Sequence, residues 1–334
     1  MSELRKDPIV GRWVIISPER GKRPSDYATP KDERETGFCP LCPGNESMTP
    51  QEIFAFREKG TSPDGPGWSI RVVPNKFPAL KREGKLEPRN EGLFDWMNGV
   101  GEHEVVIETP GHGTELPDLP LDHIKKILFV FKLRMEELSK DPRFRYVVVF
   151  KNRGREAGAS LHHSHSQIIA LPIVPKRVFE ELEGGKRYLR DRGSCVYCEM
   201  LEQEKSRGLR LVEENEDFIA FAPFAARFPF ETWIFPKAHA SDYRMIRQPQ
   251  YRGLAEILSR TLKRIDEVLD DPPYNMVFHT APLLDKELPY FHWHIEIIPK
   301  VTRVAGFEWG TGFYINPTPP EQSAAYLREV TLPE

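Results

Sequence analysis

The sequence predicts an α+β protein built as two related halves, each an antiparallel sheet with one long helix packed on it. Three observations predict it. Each half opens with a C-x-x-C pair, Cys39/Cys42 in one and Cys195/Cys198 in the other. Each closes with a strand on which two histidines alternate, His163/His165 and His292/His294. Between these, each half carries a strand followed by a histidine, a long amphipathic segment and a further strand. His239 follows His112 by 127 residues, and His292 follows His163 by 129. A repeated order at a repeated offset marks an internal duplication.

In the first half, residues 104–108 read as a strand that leads to His112. Residues 121–140 place Ile124, Ile127, Leu128, Phe131, Met135 and Leu138 on one helical stripe. Asp141-Pro142 ends that helix before the apolar strand 146–150. The histidine strand continues through Ile168-Ile169-Ala170-Leu171 and stops at Pro172. In the second half, strand 232–235 leads to His239. Residues 254–269 repeat the stripe through Ile257, Leu258, Leu262, Ile265 and Leu269, and Asp271-Pro272-Pro273 ends it before strand 274–278. The boundary falls near 173–194, where Pro172, Pro175 and the charged segment 180–192 break the strand pattern. That segment is open to a helical reading and serves chiefly as a connection, between domains expected at 1–175 and 190–334.

Composition narrows the class. Hydrophobic residues make up 39% and charged residues 29% of the 334, as in a soluble globular protein. No apolar run approaches a membrane span, and the opening Met-Ser-Glu-Leu-Arg-Lys-Asp offers no secretion signal. A cytoplasmic protein without a membrane partner is expected. The formal net charge of −3 gives no basic field for nucleic acid.

The stretch 158–167, Gly-Ala-Ser-Leu-His-His-Ser-His-Ser-Gln, carries the chemistry. Side chains alternate along a strand, so His163, His165 and Gln167 point the same way. The loop 154–160 leads in, with Gly158 inside it as a candidate phosphate-binding position that approaches through backbone N–H groups. A neutral imidazole is a nucleophile towards phosphorus, and an adjacent amide holds a phosphoryl oxygen. Histidines two apart are also ordinary metal ligands, so this strand alone leaves both readings open.

The four cysteines all lie in the two C-x-x-C pairs. Without a secretion signal a disulfide framework is not expected. Redox C-x-x-C motifs follow a strand at a helix start, whereas Cys39 and Cys42 sit in a turn-rich segment, so zinc is preferred. The repeat supplies the remaining ligands: Cys39, Cys42, His112 and His163 in one half, and Cys195, Cys198, His239 and His292 in the other. Sets of four soft ligands describe closed structural sites. The halves are not chemically equal, because Glu296 stands where Gln167 stands in the first half. A carboxylate repels a phosphate, so the first half is expected to do the chemistry and His294 to be scaffold or a supporting partner behind a ligand.

With these residues in hand, the chain resembles the galactose-1-phosphate uridylyltransferase family of the histidine-triad superfamily. The resemblance covers nearly the whole length. It runs through Asp7-Pro8, Trp13-Val14-Ile15-Ile16-Ser17-Pro18, Arg20-Gly-Lys-Arg23-Pro24 and Cys39-Pro-Leu-Cys42-Pro-Gly-Asn45. It continues in Val73-Pro-Asn75-Lys-Phe77-Pro-Ala-Leu80 and Phe150-Lys-Asn152-Arg-Gly154. The family's His-Pro-His-Gly-Gln stands here as His163-Ser-His165-Ser-Gln167. The resemblance implies two tandem histidine-triad-like domains and a two-step transfer through a covalent nucleotidyl-histidine. It implies His165 as nucleophile, Gln167 as the amide on the phosphoryl group, and Ser160 as a donor to the sugar phosphate. Asn152 would bond the phosphate region, and Asn75 and Phe77 would bind the nucleoside. Arg20 and Arg23 match arginines that approach the partner subunit's site, which implies a homodimer. The metals implied are two structural zincs, with iron as an option at the second site.

The implied activity is UDP-glucose:hexose-1-phosphate uridylyltransferase. Some residues depart from that pattern. Thr311 and Gly312 replace a bulky hydrogen-bonding pair, and Lys76 stands where an acid is usual. The Ser-His-Ser-Gln strand and the segment 310–317 look closer to the plant ADP-glucose phosphorylase branch, which transfers an adenylyl group to inorganic phosphate. Substrates are then a nucleotide-sugar with a sugar 1-phosphate or phosphate. A histidine-triad hydrolase would carry a further histidine at position 167 to protonate leaving groups, which glutamine cannot do. A nucleic-acid-binding zinc knuckle would need flanking basic and aromatic clusters that the chain lacks.

Overall fold

The computed structural model describes residues 1–21, 23–27, 37–283 and 287–332. Two short strands open the chain, β1 (Glu3–Lys6) and β2 (Trp13–Ile16). The first half supplies β3 (Phe54–Arg57), β4 (Trp68–Pro74), the hairpin β5 (Arg89–Glu91) and β6 (Phe94–Trp96), and β7 (Glu102–Ile107). Helix α1 (Leu121–Leu138), β8 (Tyr146–Arg153) and β9 (His165–Leu171) complete it. Helices α2 (Lys176–Arg192) and α3 (Val196–Arg207) lead into β10 (Leu211–Glu214), β11 (Phe218–Phe221) and β12 (Thr232–Pro236). Then come α4 (Gln250–Leu269), β13 (Tyr274–His279) and β14 (His294–Pro299). The described chain closes with α5 (Gly306–Thr311), β15 (Tyr314–Asn316) and α6 (Pro320–Glu329).

Ten strands form one sheet in the order β10-β11-β12-β14-β13-β8-β9-β7-β4-β3. Read inward from each edge, the first half runs β3-β4-β7-β9-β8 and the second β10-β11-β12-β14-β13. The repeat inferred from the histidine spacing is thus matched strand for strand. The halves do not keep separate sheets. β8 pairs antiparallel with β13, from Tyr274 opposite Arg153 to Phe278 opposite Val149. The join satisfies two rows of backbone groups that would otherwise be open edges.

The two stripes read from the sequence bury against one face of this sheet. In α1 they are Ile124, Ile127, Leu128, Phe131, Met135 and Leu138, and in α4 Ile257, Leu258, Leu262, Ile265 and Leu269. The helices pack on each other over a core that runs through both halves, with Val149, Ile168, Phe278 and Ile295 beneath them. On the opposite face, α2 and α3 cover the second half over Ile219, Phe221 and Phe235. The C-x-x-C turn covers the first half, with Cys39 and Leu41 against Ile107.

The connecting segment is the seventeen-residue helix α2. Its strong charge hid a buried side made of Val178, Glu181, Leu182, Gly184 and Gly185. The two glycines let main chain approach closely. A Cβ on Gly184 would lie 2.0 Å from the Ile9 carbonyl oxygen, and one on Gly185 would lie 2.1 Å from that of Tyr290. The connector is therefore clamped between the N-terminal strap and the approach to β14.

Candidate active site

Strand β9 presents alternate residues to opposite faces, as the pattern required. His165 and Gln167 lie across from Ile107 and Val105 of β7, on the face of the C-x-x-C turn. His165 is buried, and its Nδ1 lies 2.8 Å from the main-chain carbonyl oxygen of His163. A carbonyl only accepts, so Nδ1 carries the proton and Nε2 keeps a free lone pair. Burial pulls the His165 pKa down, the His163 carbonyl opposes this, and Lys151 pulls it down further. The ring is held neutral and aimed.

His163 turns to the cysteines. Its Nδ1 lies 3.7 Å from Cys39 Sγ and 3.5 Å from Cys42 Sγ, while His112 Nδ1 lies 3.4 Å from Cys42 Sγ. The four donor atoms lie within 4.8 Å of one another. His163 Nε2 donates to the Thr109 carbonyl at 2.7 Å, which leaves Nδ1 as the ligand nitrogen. Tetrahedral bonds of about 2.3 Å to sulfur and 2.0 Å to nitrogen fit such spacings. This group can hold a metal ion.

The second group is Cys195, Cys198 and His239, also within 4.8 Å. His239 Nδ1 lies 3.3 Å from Cys198 Sγ and its Nε2 3.1 Å from the Leu288 carbonyl. Hydrogen bonding from Cys198, and then from His239, brings the Cys195 thiol down to about 5 against its burial. The fourth candidate, His292, stands further out, with Nδ1 4.0 Å from Cys198 Sγ. Its Nε2 is buried with no hydrogen-bond partner among the described residues.

The other predicted residues fall around β9. Asn152 is the penultimate residue of β8, and its Oδ1 accepts from Asn275 Nδ2 at 2.8 Å. With the oxygen taken, the Asn152 NH2 is left to donate. It faces Gly158, where a Cβ would lie 3.8 Å from Nδ2. Gly158 has φ +88, a conformation strained for any residue with a Cβ. Ser160 is exposed at the end of that loop. Asn75 follows β4, half-buried, and its Oδ1 accepts from the Phe77 main-chain N–H at 2.9 Å. The Phe77 ring is 83% exposed, open to a stacking partner. Arg20 and Arg23 lie exposed on the segment after β2.

Three groups escaped the sequence reading. His103 on β7 lies with Nε2 2.8 Å from Gln167 Oε1 and 3.1 Å from Asn75 Nδ2. Asn275 reaches across from the second half to Asn152 and to the Ala157 carbonyl. Beneath β9, Lys151 Nζ bonds Glu108 Oε2 at 2.8 Å, Ser164 Oγ at 2.9 Å and the His165 carbonyl at 3.3 Å. Ser164 and Ser166 both donate to Glu108, so its carboxylate is fully engaged. Burial would raise Glu108, but Lys151 and the serines outweigh it and hold it ionised. The serines that distinguish this strand thus face an internal ion pair. Their partners are distant in sequence, and no motif announces them.

The second half repeats the backbone of the site without its opening. His294 Nδ1 meets the His292 carbonyl at 3.0 Å, as His165 meets His163. Its ring is buried, stacked between Phe235 at 4.7 Å and His279 at 4.6 Å. Glu296 binds Arg227 at 2.6 Å, and Glu181 from α2 binds His279 at 3.1 Å. Burial opposes charge on His279, yet Glu181 and Glu296 raise it to about 10. The space remaining there, lined by Asp7, Arg12, Glu181, Arg227, His294 and Glu296, is about 10 Å³. That admits one water at most.

Sheet, loop and strand together define an α+β protein that offers a neutral imidazole and an amide beside a glycine loop, with a Cys/His group bracing the same strand. A neutral imidazole and an amide so placed are suited to phosphoryl chemistry. The chain belongs to the galactose-1-phosphate uridyl transferase family: the model of the family's N-terminal domain matches residues 1–175. A domain family of unknown function (DUF4921) matches residues 119–330. The ADP-glucose phosphorylase of Arabidopsis thaliana is 41% identical over 99% of this chain and 93% of its own length. The galactose-1-phosphate uridylyltransferase of Thermotoga maritima is 33% identical over 99% of both chains. A crystal structure of the Arabidopsis thaliana ADP-glucose phosphorylase with bound ADP-glucose superposes with TM-score 0.85 at 40% identity, covering 99% of this chain and all of that one. A uridylyltransferase structure matches with TM-score 0.76 at 34% identity, covering 98% and 97%. Among the described residues, no helix is long and apolar enough to cross a membrane.

Proposed function

We propose that this protein is a nucleotidyltransferase that acts on nucleotide-sugars in two steps through a nucleotidyl group on His165. The observation that carries the proposal is the bond from His165 Nδ1 to the His163 carbonyl at 2.8 Å. It leaves Nε2 as the attacking atom. Nε2 forms a bond to the α-phosphorus, the bond to the bridging oxygen breaks, and sugar 1-phosphate leaves. The positive charge on the ring stays paired with the His163 carbonyl through Nδ1–H. A phosphate oxygen of the second substrate then attacks the same phosphorus and His165 leaves, neutral again.

The amide of Gln167, the NH2 of Asn152, Ser160 and the backbone at Gly158 would hold the phosphates, and Asn75 and Phe77 the nucleoside. Two structural zincs fit the donor sets, one on Cys39, Cys42, His112 and His163. The other would sit on Cys195, Cys198, His239 and His292, where iron is the alternative. Bound at the first set, through His163, an ion would stiffen the strand that carries His165. We read residues 1–175 and 190–334 as two histidine-triad-like units, the first catalytic. The working form is a cytoplasmic homodimer in which Arg20 and Arg23 reach the partner's site.

Uridylyl transfer from UDP-glucose to a hexose 1-phosphate is the reading supported by the breadth of the uridylyltransferase relatives. A second reading, adenylyl transfer from ADP-glucose to phosphate, is favoured by the 41% identity to the plant phosphorylase. Intact mass after incubation with each nucleotide-sugar separates them. A uridylyl adduct discharged by galactose 1-phosphate supports the first, and an adenylyl adduct discharged by phosphate supports the second. No adduct with either would overturn the covalent mechanism.

A further inference from the structure

His103 lies between the segment that would hold the nucleoside and the amide that would hold the phosphoryl group. The Ala79 main-chain N–H points at its Nδ1 at 3.2 Å. A main-chain N–H cannot turn over, so Nδ1 accepts and the ring proton sits on Nε2. Burial holds this imidazole below its ordinary range, with the contact to Gln167 opposing, which keeps the ring neutral. Nε2 lies 2.8 Å from Gln167 Oε1, so Nε2–H donates to that oxygen. The remaining polar neighbour, Asn75 Nδ2 at 3.1 Å, brings only N–H groups, because Asn75 Oδ1 is engaged by Phe77 N–H. Asn75 therefore does not compete for the His103 proton.

We propose that His103 is a positioning residue that fixes the orientation of the Gln167 amide, oxygen inward and NH2 outward, so that the amide donates to charge building on the phosphoryl oxygens. Turned over, the same amide would present its carbonyl oxygen to an anion and repel it. The inference rests on the reading of His165 as nucleophile and Gln167 as its neighbouring donor. It assigns a role to a side chain that touches neither reacting atom.

The test is the rate of adduct formation across nucleotide-sugar concentration, using whichever of UDP-glucose or ADP-glucose loads the unsubstituted protein. His103→Leu should lower the maximal rate by about tenfold to a hundredfold and change the half-saturating concentration by less than about threefold. His103→Gln keeps a donor and should recover most of the loss. In a Gln167→Ala background, His103→Leu should cost less than about threefold more, because the group it orients is gone. Full multiplication of the two losses, or an unchanged maximal rate in His103→Leu, would overturn the inference. Should His103→Leu fail to fold, His103→Asn, too short to reach Oε1, takes its place in the same cycle. Absence of any adduct on the unsubstituted protein would instead sink the covalent reading, and this inference with it.

Discussion

The ring of His165 is tied to the main chain of His163, Nδ1 to carbonyl oxygen at 2.8 Å, while the ring of His163 turns to Cys39 and Cys42. One dipeptide step therefore links the Cys/His group to the nitrogen proposed to attack. Disturbing either end has consequences that differ in kind.

Replacing His165 by alanine removes the attacking atom and little else. We expect His165→Ala to form no nucleotidyl adduct by intact mass, while its melting temperature stays within about 5 °C of the parent, the change expected from about 1–2 kcal/mol. Near-normal turnover in this variant would disprove the assignment.

Replacing Cys39 acts on the scaffold. Cys39→Ala should reduce bound metal by one equivalent in elemental analysis and lower the melting temperature by roughly 5 °C or more. A fully metallated variant of unchanged stability would show that Cys39 is no ligand.

The ion pair beneath β9 is buried on both sides, with side chains 2% and 0% exposed for Lys151 and Glu108. Glu108→Gln leaves Lys151 uncompensated and should cost about 3–5 kcal/mol in urea unfolding. The pair replacement Glu108→Leu with Lys151→Met should cost less than the single change. Equal costs would mean that the interaction adds nothing to the fold.

Gly184 meets the Ile9 carbonyl where a Cβ would come within 2.0 Å. Gly184→Ala should destabilise by about 1–3 kcal/mol despite its better helix propensity, because main chain has to move. A neutral or stabilising result would show that α2 is not clamped there.

His279 provides a pH signature. Its folded pKa is raised to about 10 against an ordinary 6.5, so the stability it adds is complete below 6.5 and is lost as pH rises towards 10. The groups facing it are Glu181 from α2 and Glu296 and His294 from β14, with Arg227 behind Glu296. Melting temperature should fall across that window in the parent and fall less in His279→Gln. Parallel profiles would show that His279 is not charged in the folded protein.

The repeated strands and long helices, and the residues proposed for the chemistry, were legible in the sequence. Period-two alternation placed His165 and Gln167 on one face, the helical stripes of α1 and α4 buried as read, and the C-x-x-C spacing set the two cysteines of each pair side by side. These are local facts, set by backbone geometry within a few residues. The tertiary structure alone decided that the halves share one sheet, since pairing of β8 with β13 depends on which edges meet. It alone decided that His103 orients Gln167, that Asn275 orients Asn152, and that Lys151 and Glu108 lie under the serines. These contacts link residues 13 to 123 positions apart. The sealing of His294 is of the same kind. Its pattern matches that of His165, and only the packing of Asp7, Glu181 and Arg227 around it leaves no room for a phosphate. Periodicity reports which way a side chain points, whereas what meets it there is set by folding.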